Sequence, residues 1–196
     1  DKMSDSIAPL LDETAAASDL GRATTAIFYS ISNTQTGLRG VSFGDSLIKH
    51  VVETLTGEFP RLRHFATLSP IPGLRTWIAK HGDAILEKMD ERQRKAFELK
   101  AGGMGAEHLL AALDAPQDLK PDAPVRRALL FCAAHYLGRE TAKGRPLDPV
   151  ARFHLGNGAR VERLNWAADL SAKGLKQSLG LMVNYLYDLK RLDKHR

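Results

Sequence analysis

Gly37, Gly40 and Gly44 lie between a β-branched and aromatic run at residues 25–32 and an amphipathic segment at residues 48–55. This pattern predicts a strand, a glycine-rich loop and a helix, in that order. In such a loop the backbone N–H groups face outward at the positive end of the helix dipole, where a phosphate or pyrophosphate binds. The spacing matches neither the Rossmann nor the Walker motif, and loop glycines more often serve a positive φ angle than a ligand. A plain turn therefore stays open as an alternative.

The histidines, the cysteine and the serines are the candidate groups for catalysis or metal binding. The seven histidines show no pair at the helical spacing of metal ligands, and one cysteine cannot complete a zinc knuckle, so we predict no metal site. Cys132 lies in an apolar run and is predicted to be a small buried side chain. No Gly-x-Ser-x-Gly sequence is present, which argues against an α/β-hydrolase nucleophile. Taken alone, Ser69 is typical of a turn and His154 of a structural histidine.

The composition is that of one globular domain and limits the classes of partner. The chain has 196 residues, of which 43% are hydrophobic and 26% charged. Its net charge of +5 suits an anionic partner: a nucleic acid, an anionic membrane or a small polyanion such as coenzyme A. Its basic residues are scattered and are not interleaved with aromatic residues as in a nucleic-acid platform. No apolar run approaches the ~20 residues of a membrane-spanning helix. We therefore expect neither a nucleic acid nor a membrane as partner.

The order of the predicted elements is a few strands followed mostly by helices, which indicates an α+β fold. After the first strand, loop and helix, the pattern predicts a short strand at residues 65–68. A break in the helical pattern at 81–83 is followed by a predicted helix at 84–100 and a buried helix at 125–137. A strand at 159–164 and a last helix from Ser171 to Leu186 complete the prediction.

Two blocks of sequence carry a resemblance to a known family. The first holds FYSISNTQTGLRG, SFGDSLIKHVVETL and LSPIPG, and the second holds FHLGNGA, LNW, AD and GLMVNY. In this order they resemble the catalytic domain of the malonyl-CoA decarboxylases. The resemblance covers nearly the whole chain and is weakest at residues 78–145. It implies one catalytic domain over residues 1–196, without the family's N-terminal helical domain and first strands.

The resemblance also implies which residues do the chemistry. Ser69, in LSPIPG, lies where the family has its catalytic serine, a proton acceptor, and His154, in FHLGNGA, where it has its catalytic histidine, a proton donor. At Ser42 some relatives have a glutamate that helps to orient the histidine, and this interaction is not available here. The family's acyl-CoA-binding loop falls on Arg39, Gly40, Val41, Ser42, Phe43, Gly44 and Asp45, and Gln35, Asn157 and Tyr187 occupy matching positions as supporting residues.

The fold implied by the resemblance is a partial GNAT-like acyl-CoA-binding core with many flanking helices. In it, the strands at residues 25–32 and 64–68 splay, the pantetheine arm lies between them, and the loop holds the pyrophosphate. The implied reaction converts malonyl-CoA to acetyl-CoA and CO2 without a cofactor or a metal, and we expect a cytoplasmic homo-oligomer. Two alternatives stay open: a GNAT-type acyltransferase that transfers the acyl group to an amine, and a truncated acyl-CoA-binding module without catalysis.

Overall fold

The computed structural model describes residues 3–12, 20–29, 44–113 and 115–188. They fall into two compact units, each treated by itself. The first takes its residues from Asp1–Ser69, Phe153–Asn165 and Val183–Arg196, and the second from Pro70–Arg152 and Trp166–Met182. The single domain expected from the sequence stays a prediction.

The first unit is built on a four-stranded sheet. It begins with a short helix, α1 (Ala8–Leu11), and a 3-10 turn before the strands. The strand order is β1 (Thr25–Tyr29), β2 (His64–Pro70), β6 (Met182–Tyr187) and β5 (Ala159–Asn165). The two central strands are buried over nearly their whole length. Their burial does not alternate along the strand because both faces of a central strand are covered.

The predicted strand, helix and strand at the start of the chain are confirmed. β1 pairs in parallel with β2, from Thr25 opposite His64 to Tyr29 opposite Leu68, and α2 (Gly44–Glu58) connects them. A parallel pair needs such a crossover connection. Pairing is regular over the described part of β1. The predicted splay stays a prediction because residues 30–32 and the glycine loop lie outside the described residues.

The second unit is mainly helical. It contains α3 (Leu74–Leu86), α4 (Glu91–Ala101), α5 (Ala106–Ala111), α6 (Pro124–Arg139), the hairpin of β3 (Thr141–Ala142) and β4 (Arg145–Pro146), the first half of α7 (Pro149–Gly156), and α8 (Ala172–Ser178). The apolar run predicted to be a buried helix is α6, which has seven buried residues. Strands and helices together confirm the α+β class. None of the helices within the described ranges is long and apolar enough to cross a membrane.

Two predicted helix boundaries are wrong. The expected break at residues 81–83 is absent, and α3 continues through Gly82 because it packs closely on α5 there. A Cβ atom on Gly82 would lie 2.8 Å from the Cβ of Ala106, so only glycine fits at this contact. The predicted helix at 84–100 is interrupted instead at Asp90, whose carboxylate accepts the backbone N–H of Gln93 and begins α4.

The last predicted helix is also wrong beyond residue 178. The helix α8 ends where Leu179 and Gly180 adopt positive φ angles of 56° and 80°. The chain then forms the central strand β6 instead of a further helical turn. All six residues of β6 are buried, so the strand shows no alternation, and its apolar residues continue a three-and-four spacing by coincidence.

Candidate active site

Ser69 lies near the end of the central strand β2, just before Pro70 ends the strand. Side chains two residues apart in a strand share a face, so Thr67 lies on the same side as Ser69. Both residues are buried, and their hydroxyl oxygens are 2.8 Å apart. Ser69, which taken alone is typical of a turn, is therefore part of a buried polar cluster.

His154 lies in the last turns of α7 and meets Ser69 across 85 positions of sequence. Its Nε2 atom is 3.3 Å from Ser69 Oγ, and its Nδ1 atom is 2.7 Å from the hydroxyl oxygen of Tyr187 on β6. Asp148 caps the N-terminus of α7: its Oδ1 atom accepts hydrogen bonds from the backbone N–H groups of Val150 and Ala151 at 3.0 and 2.8 Å. The structure thus brings together Ser69, His154 and Tyr187.

Aromatic rings fix the orientation of the His154 imidazole. Tyr185 and Tyr187 are two residues apart on β6 and share one face. The Tyr185 ring stacks on the imidazole at 4.7 Å between centroids, and the Tyr187 ring meets it edge-on at 6.0 Å. Phe153 makes a further edge contact at 5.1 Å. Contacts from both strand and helix leave the imidazole little freedom to rotate.

Burial determines the charge of His154. Only 2% of the residue is exposed, and this burial lowers its pKa from 6.5 to about 4, because an imidazolium loses hydration in the interior. At neutral pH the side chain is therefore uncharged. One of its ring nitrogens carries a hydrogen and the other accepts a hydrogen bond.

Asn184, which is fully buried on β6, holds this part of the sheet together. Its amide nitrogen donates to the carbonyl oxygens of Thr67 at 2.8 Å and Ser4 at 3.2 Å. Its oxygen accepts from Asn165 Nδ2 at 2.8 Å and from the Arg163 guanidinium at 3.1 and 3.3 Å. The strand that carries Ser69 is thereby tied to the strand that carries Tyr187.

Of the other predicted site residues, Asn157, Gly44 and Asp45 are among the described residues. The backbone N–H of Asn157 closes α7 by donating to Phe153 and His154, and its buried side-chain nitrogen has no hydrogen-bond partner in the described part of the chain. Gly44 and Asp45 begin α2. The remaining residues, Gln35, Arg39, Gly40, Val41, Ser42 and Phe43, lie outside the described residues.

Thr67, Asn184 and Tyr185 are members of the cluster that sequence reasoning missed. A buried asparagine within the apolar run of β6 is a usable signal, since a buried amide needs partners. The strand period would have placed Thr67 beside Ser69. Nothing in the sequence singles out Tyr185.

Two further predictions concern reactive and metal-binding groups. Cys132 is fully buried on α6, which confirms the prediction of a small buried side chain, and burial raises its pKa to about 12. Within the described ranges, no three His, Cys, Asp or Glu side chains are grouped so that they could hold a metal ion.

Comparisons with known proteins indicate the family of the chain. The family model described as malonyl-CoA decarboxylase C-terminal domain matches residues 1–196. The mitochondrial malonyl-CoA decarboxylase of Mus musculus is 43% identical over 180 residues, which cover 86% of this chain and 36% of that protein. The enzyme of Anser anser anser is 37% identical over 187 residues, with coverages of 91% and 37%. The chain thus spans little more than a third of the length of these curated relatives.

Solved structures show the same likeness. The crystal structure of malonyl-CoA decarboxylase from Cupriavidus metallidurans superposes with a TM-score of 0.83 and is 47% identical in sequence, covering 98% of this chain and 47% of that one. The enzyme from Rhodopseudomonas palustris gives a TM-score of 0.77 and 44% identity, with coverages of 98% and 42%.

Proposed function

The chain belongs to the malonyl-CoA decarboxylase family, and from this premise we propose that it carries the catalytic site for converting malonyl-CoA to acetyl-CoA and CO2. The observation that supports this most directly is the buried contact of 3.3 Å between Ser69 Oγ and His154 Nε2. The resemblance of the motifs LSPIPG and FHLGNGA implies that these two residues are the family's catalytic serine and histidine. The two residues are 85 positions apart in the sequence. They come into contact because strand β2 and helix α7 lie next to each other.

The proposed reaction breaks one carbon–carbon bond and makes one carbon–hydrogen bond. The bond between the malonyl carboxylate and the central carbon breaks, CO2 leaves, and the electron pair remains on the thioester as an enolate. A proton added to that carbon gives acetyl-CoA. Hydrogen-bond donors in a dry site lower the barrier by stabilising the enolate charge. Neither the breaking nor the making of these bonds calls for a redox cofactor, and we propose none and no metal.

Ser69 and His154 act as one unit in this proposal. A neutral imidazole cannot attract the enolate as a cation would, so it contributes through hydrogen bonding and proton transfer. Because the two side chains are in contact, a proton that one of them gives to the enolate carbon can be replaced from the other. Tyr187 supports the pair by bonding to the second ring nitrogen.

Coenzyme A binding is proposed for the segment before α2. The resemblance assigns it to Arg39, Gly40, Val41, Ser42, Phe43, Gly44 and Asp45. Gln35 and Asn157 occupy matching positions and are proposed as supporting residues of the site. The helix α2 begins at Gly44, and its positive end suits the pyrophosphate. An acyl-CoA is thus the proposed small-molecule partner. The homo-oligomer and the cytoplasmic location stay predictions.

Product chromatography tests this function. We incubate the chain with malonyl-CoA and no amine acceptor, and we expect acetyl-CoA to form. The variant His154→Gln, matched in folding by circular dichroism, should lose about 10²- to 10⁴-fold in rate, the usual contribution of a general acid or base. A product that forms only in a parallel incubation with an added amine would favour the acyltransferase instead. A folded chain that binds malonyl-CoA without turnover would favour the non-catalytic module.

A further inference from the structure

The hydroxyl group of Thr67 lies beside the Ser69–His154 contact and is bonded from two strands. The residue has no exposed surface, and its Oγ1 atom is 2.8 Å from Ser69 Oγ. The backbone N–H of Tyr185 donates to the same Oγ1 atom at 3.3 Å, and the amide of Asn184 donates to the Thr67 carbonyl at 2.8 Å. Thr67 is therefore held in place through both its backbone and its side chain.

The partners of Thr67 Oγ1 limit where its proton can point. Across the ranges that the structure describes, the polar atoms that bond to Oγ1 are Ser69 Oγ and Tyr185 N. A backbone N–H only donates, so it takes a lone pair of the Thr67 oxygen. The 2.8 Å between Thr67 Oγ1 and Ser69 Oγ allows either hydroxyl to donate to the other. Among the described residues, however, Ser69 Oγ is the acceptor available to the Thr67 proton, and a buried hydroxyl that donates to nothing is unfavourable.

We infer that Thr67 is a positioning residue that donates its hydroxyl proton to Ser69 Oγ and thereby turns the Ser69 proton toward His154 Nε2. The imidazole is neutral and carries one hydrogen. If Nε2 accepts from Ser69, this hydrogen is on Nδ1 and is donated to the hydroxyl oxygen of Tyr187. The hydrogen order therefore runs from Thr67 through Ser69 and His154 to Tyr187.

The opposite order differs in a way that can be measured. If Ser69 donated to Thr67, the Thr67 proton would lose its acceptor, and Ser69 would accept a hydrogen from His154 Nε2. The hydrogen of the imidazole then lies on the other nitrogen. The effect of this hydrogen order on catalysis rests on the proposed function. The hydrogen order itself is a property of the folded chain and does not require turnover.

Kinetics with three variants test the positioning role. Thr67→Val keeps the shape and removes the hydroxyl, so we expect kcat to fall about tenfold, as for the loss of one hydrogen bond, while KM changes less than about twofold. Thr67→Ser keeps the hydroxyl and should restore kcat to within about threefold of the unmodified chain. Thr54→Val removes an exposed threonine hydroxyl on α2 and should change neither value. Unchanged kcat in Thr67→Val, or an equal loss in Thr67→Val and Thr67→Ser, would overturn the inference.

Nitrogen NMR of the uniformly ¹⁵N-labelled chain tests the hydrogen order without turnover. The two imidazole signals of His154 are identified by their loss in His154→Gln. We expect Nδ1 to carry the hydrogen in the unmodified chain and in Thr67→Ser. A hydrogen on Nε2 in the unmodified chain would overturn the inference. If the unmodified chain formed no acetyl-CoA, the kinetics would count against the proposed function, and the NMR result would still decide the hydrogen order. If Thr67→Val did not fold, the spectra of the unmodified chain and of Thr67→Ser would still decide the hydrogen order.

Discussion

The two compact units differ in what they bury. In the sheet unit, a group of polar side chains is buried and connected by hydrogen bonds from strand to strand and from strand to helix. Their partners are largely other side chains. The members of this buried polar group are Thr67, Ser69, His154, Asn165 and Asn184.

The interior of the helical unit is apolar. Residues such as Phe97 on α4 and Leu129 on α6 are fully buried. The buried polar side chains described in this unit are those of Asp148 and Ser178. Asp148 caps α7, and Ser178 donates to the carbonyl oxygens of Gly174 at 3.3 Å and Leu181 at 2.7 Å. Most hydrogen bonds of these two buried polar groups are to the backbone, and Asp148 also bonds to the side chain of Tyr136.

This difference indicates where the chemistry lies. A buried polar group costs stability unless it is bonded, and its net gain when bonded is small. An apolar interior would give the sheet unit more stability than a connected set of hydroxyl, amide and imidazole groups. Polar residues with no capping role are therefore the first candidates for function. The following predictions test this comparison, beginning with the largest expected effect.

The largest loss of stability is expected when a large apolar side chain is removed from the interior of the helical unit. Phe97→Ala deletes a fully buried ring on α4, and we expect a loss of about 3–5 kcal/mol in the free energy of unfolding. The control is Leu99→Ala on the same helix, where 88% of the side chain is exposed and the change should stay within about 0.5 kcal/mol. Urea unfolding measures both. Equal effects would show that the interior of this unit does not depend on Phe97.

The sheet unit should lose stability in mild acid because of His154. Its pKa in the folded chain is about 4, below the ordinary 6.5, so between these pH values the unfolded chain binds more protons. The contribution of His154 to the free energy of unfolding therefore falls as the pH is lowered from about 6.5 to about 4, by about 3 kcal/mol in total. Urea unfolding at a series of pH values measures this.

The control for this measurement is His154→Gln, which cannot take up the proton. Asp148 acts in the opposite direction, since burial raises its pKa and its contribution to stability grows as the pH falls. The quantity to compare is therefore the difference between the unmodified chain and His154→Gln. If the two pH profiles run parallel, His154 is not held neutral by burial.

The sequence predicts the elements whose patterns are local. The β-branched run of β1, the crossover to β2 and the apolar run of α6 all appear where the pattern puts them. The strand β6 does not, because a central strand covered on both faces has no period of two and resembles a helix in its apolar spacing. The strand starts at Met182 because Leu179 and Gly180 adopt positive φ angles. Sequence spacing does not reveal the positive φ angle of Leu179.

The candidate site was only partly predictable for a related reason. Ser69 and His154 are recognisable through the motifs that contain them, and the contact between them depends on strand order and helix packing. The roles of Thr67 and Asn184 arise only when β2 and β6 lie side by side, since their hydrogen bonds join residues 117 and 118 positions apart. One-dimensional patterns do not contain such pairings.

The central claim is that the buried polar cluster of the sheet unit is catalytic, and the most direct test compares two buried serines. We measure acetyl-CoA formation from malonyl-CoA by Ser69→Ala and by Ser178→Ala, each normalised to its folded fraction. Ser69→Ala should abolish turnover because it removes the hydroxyl in contact with His154. Ser178→Ala should retain turnover, because the partners of that hydroxyl among the described residues are backbone carbonyls. Full turnover by Ser69→Ala would contradict the claim.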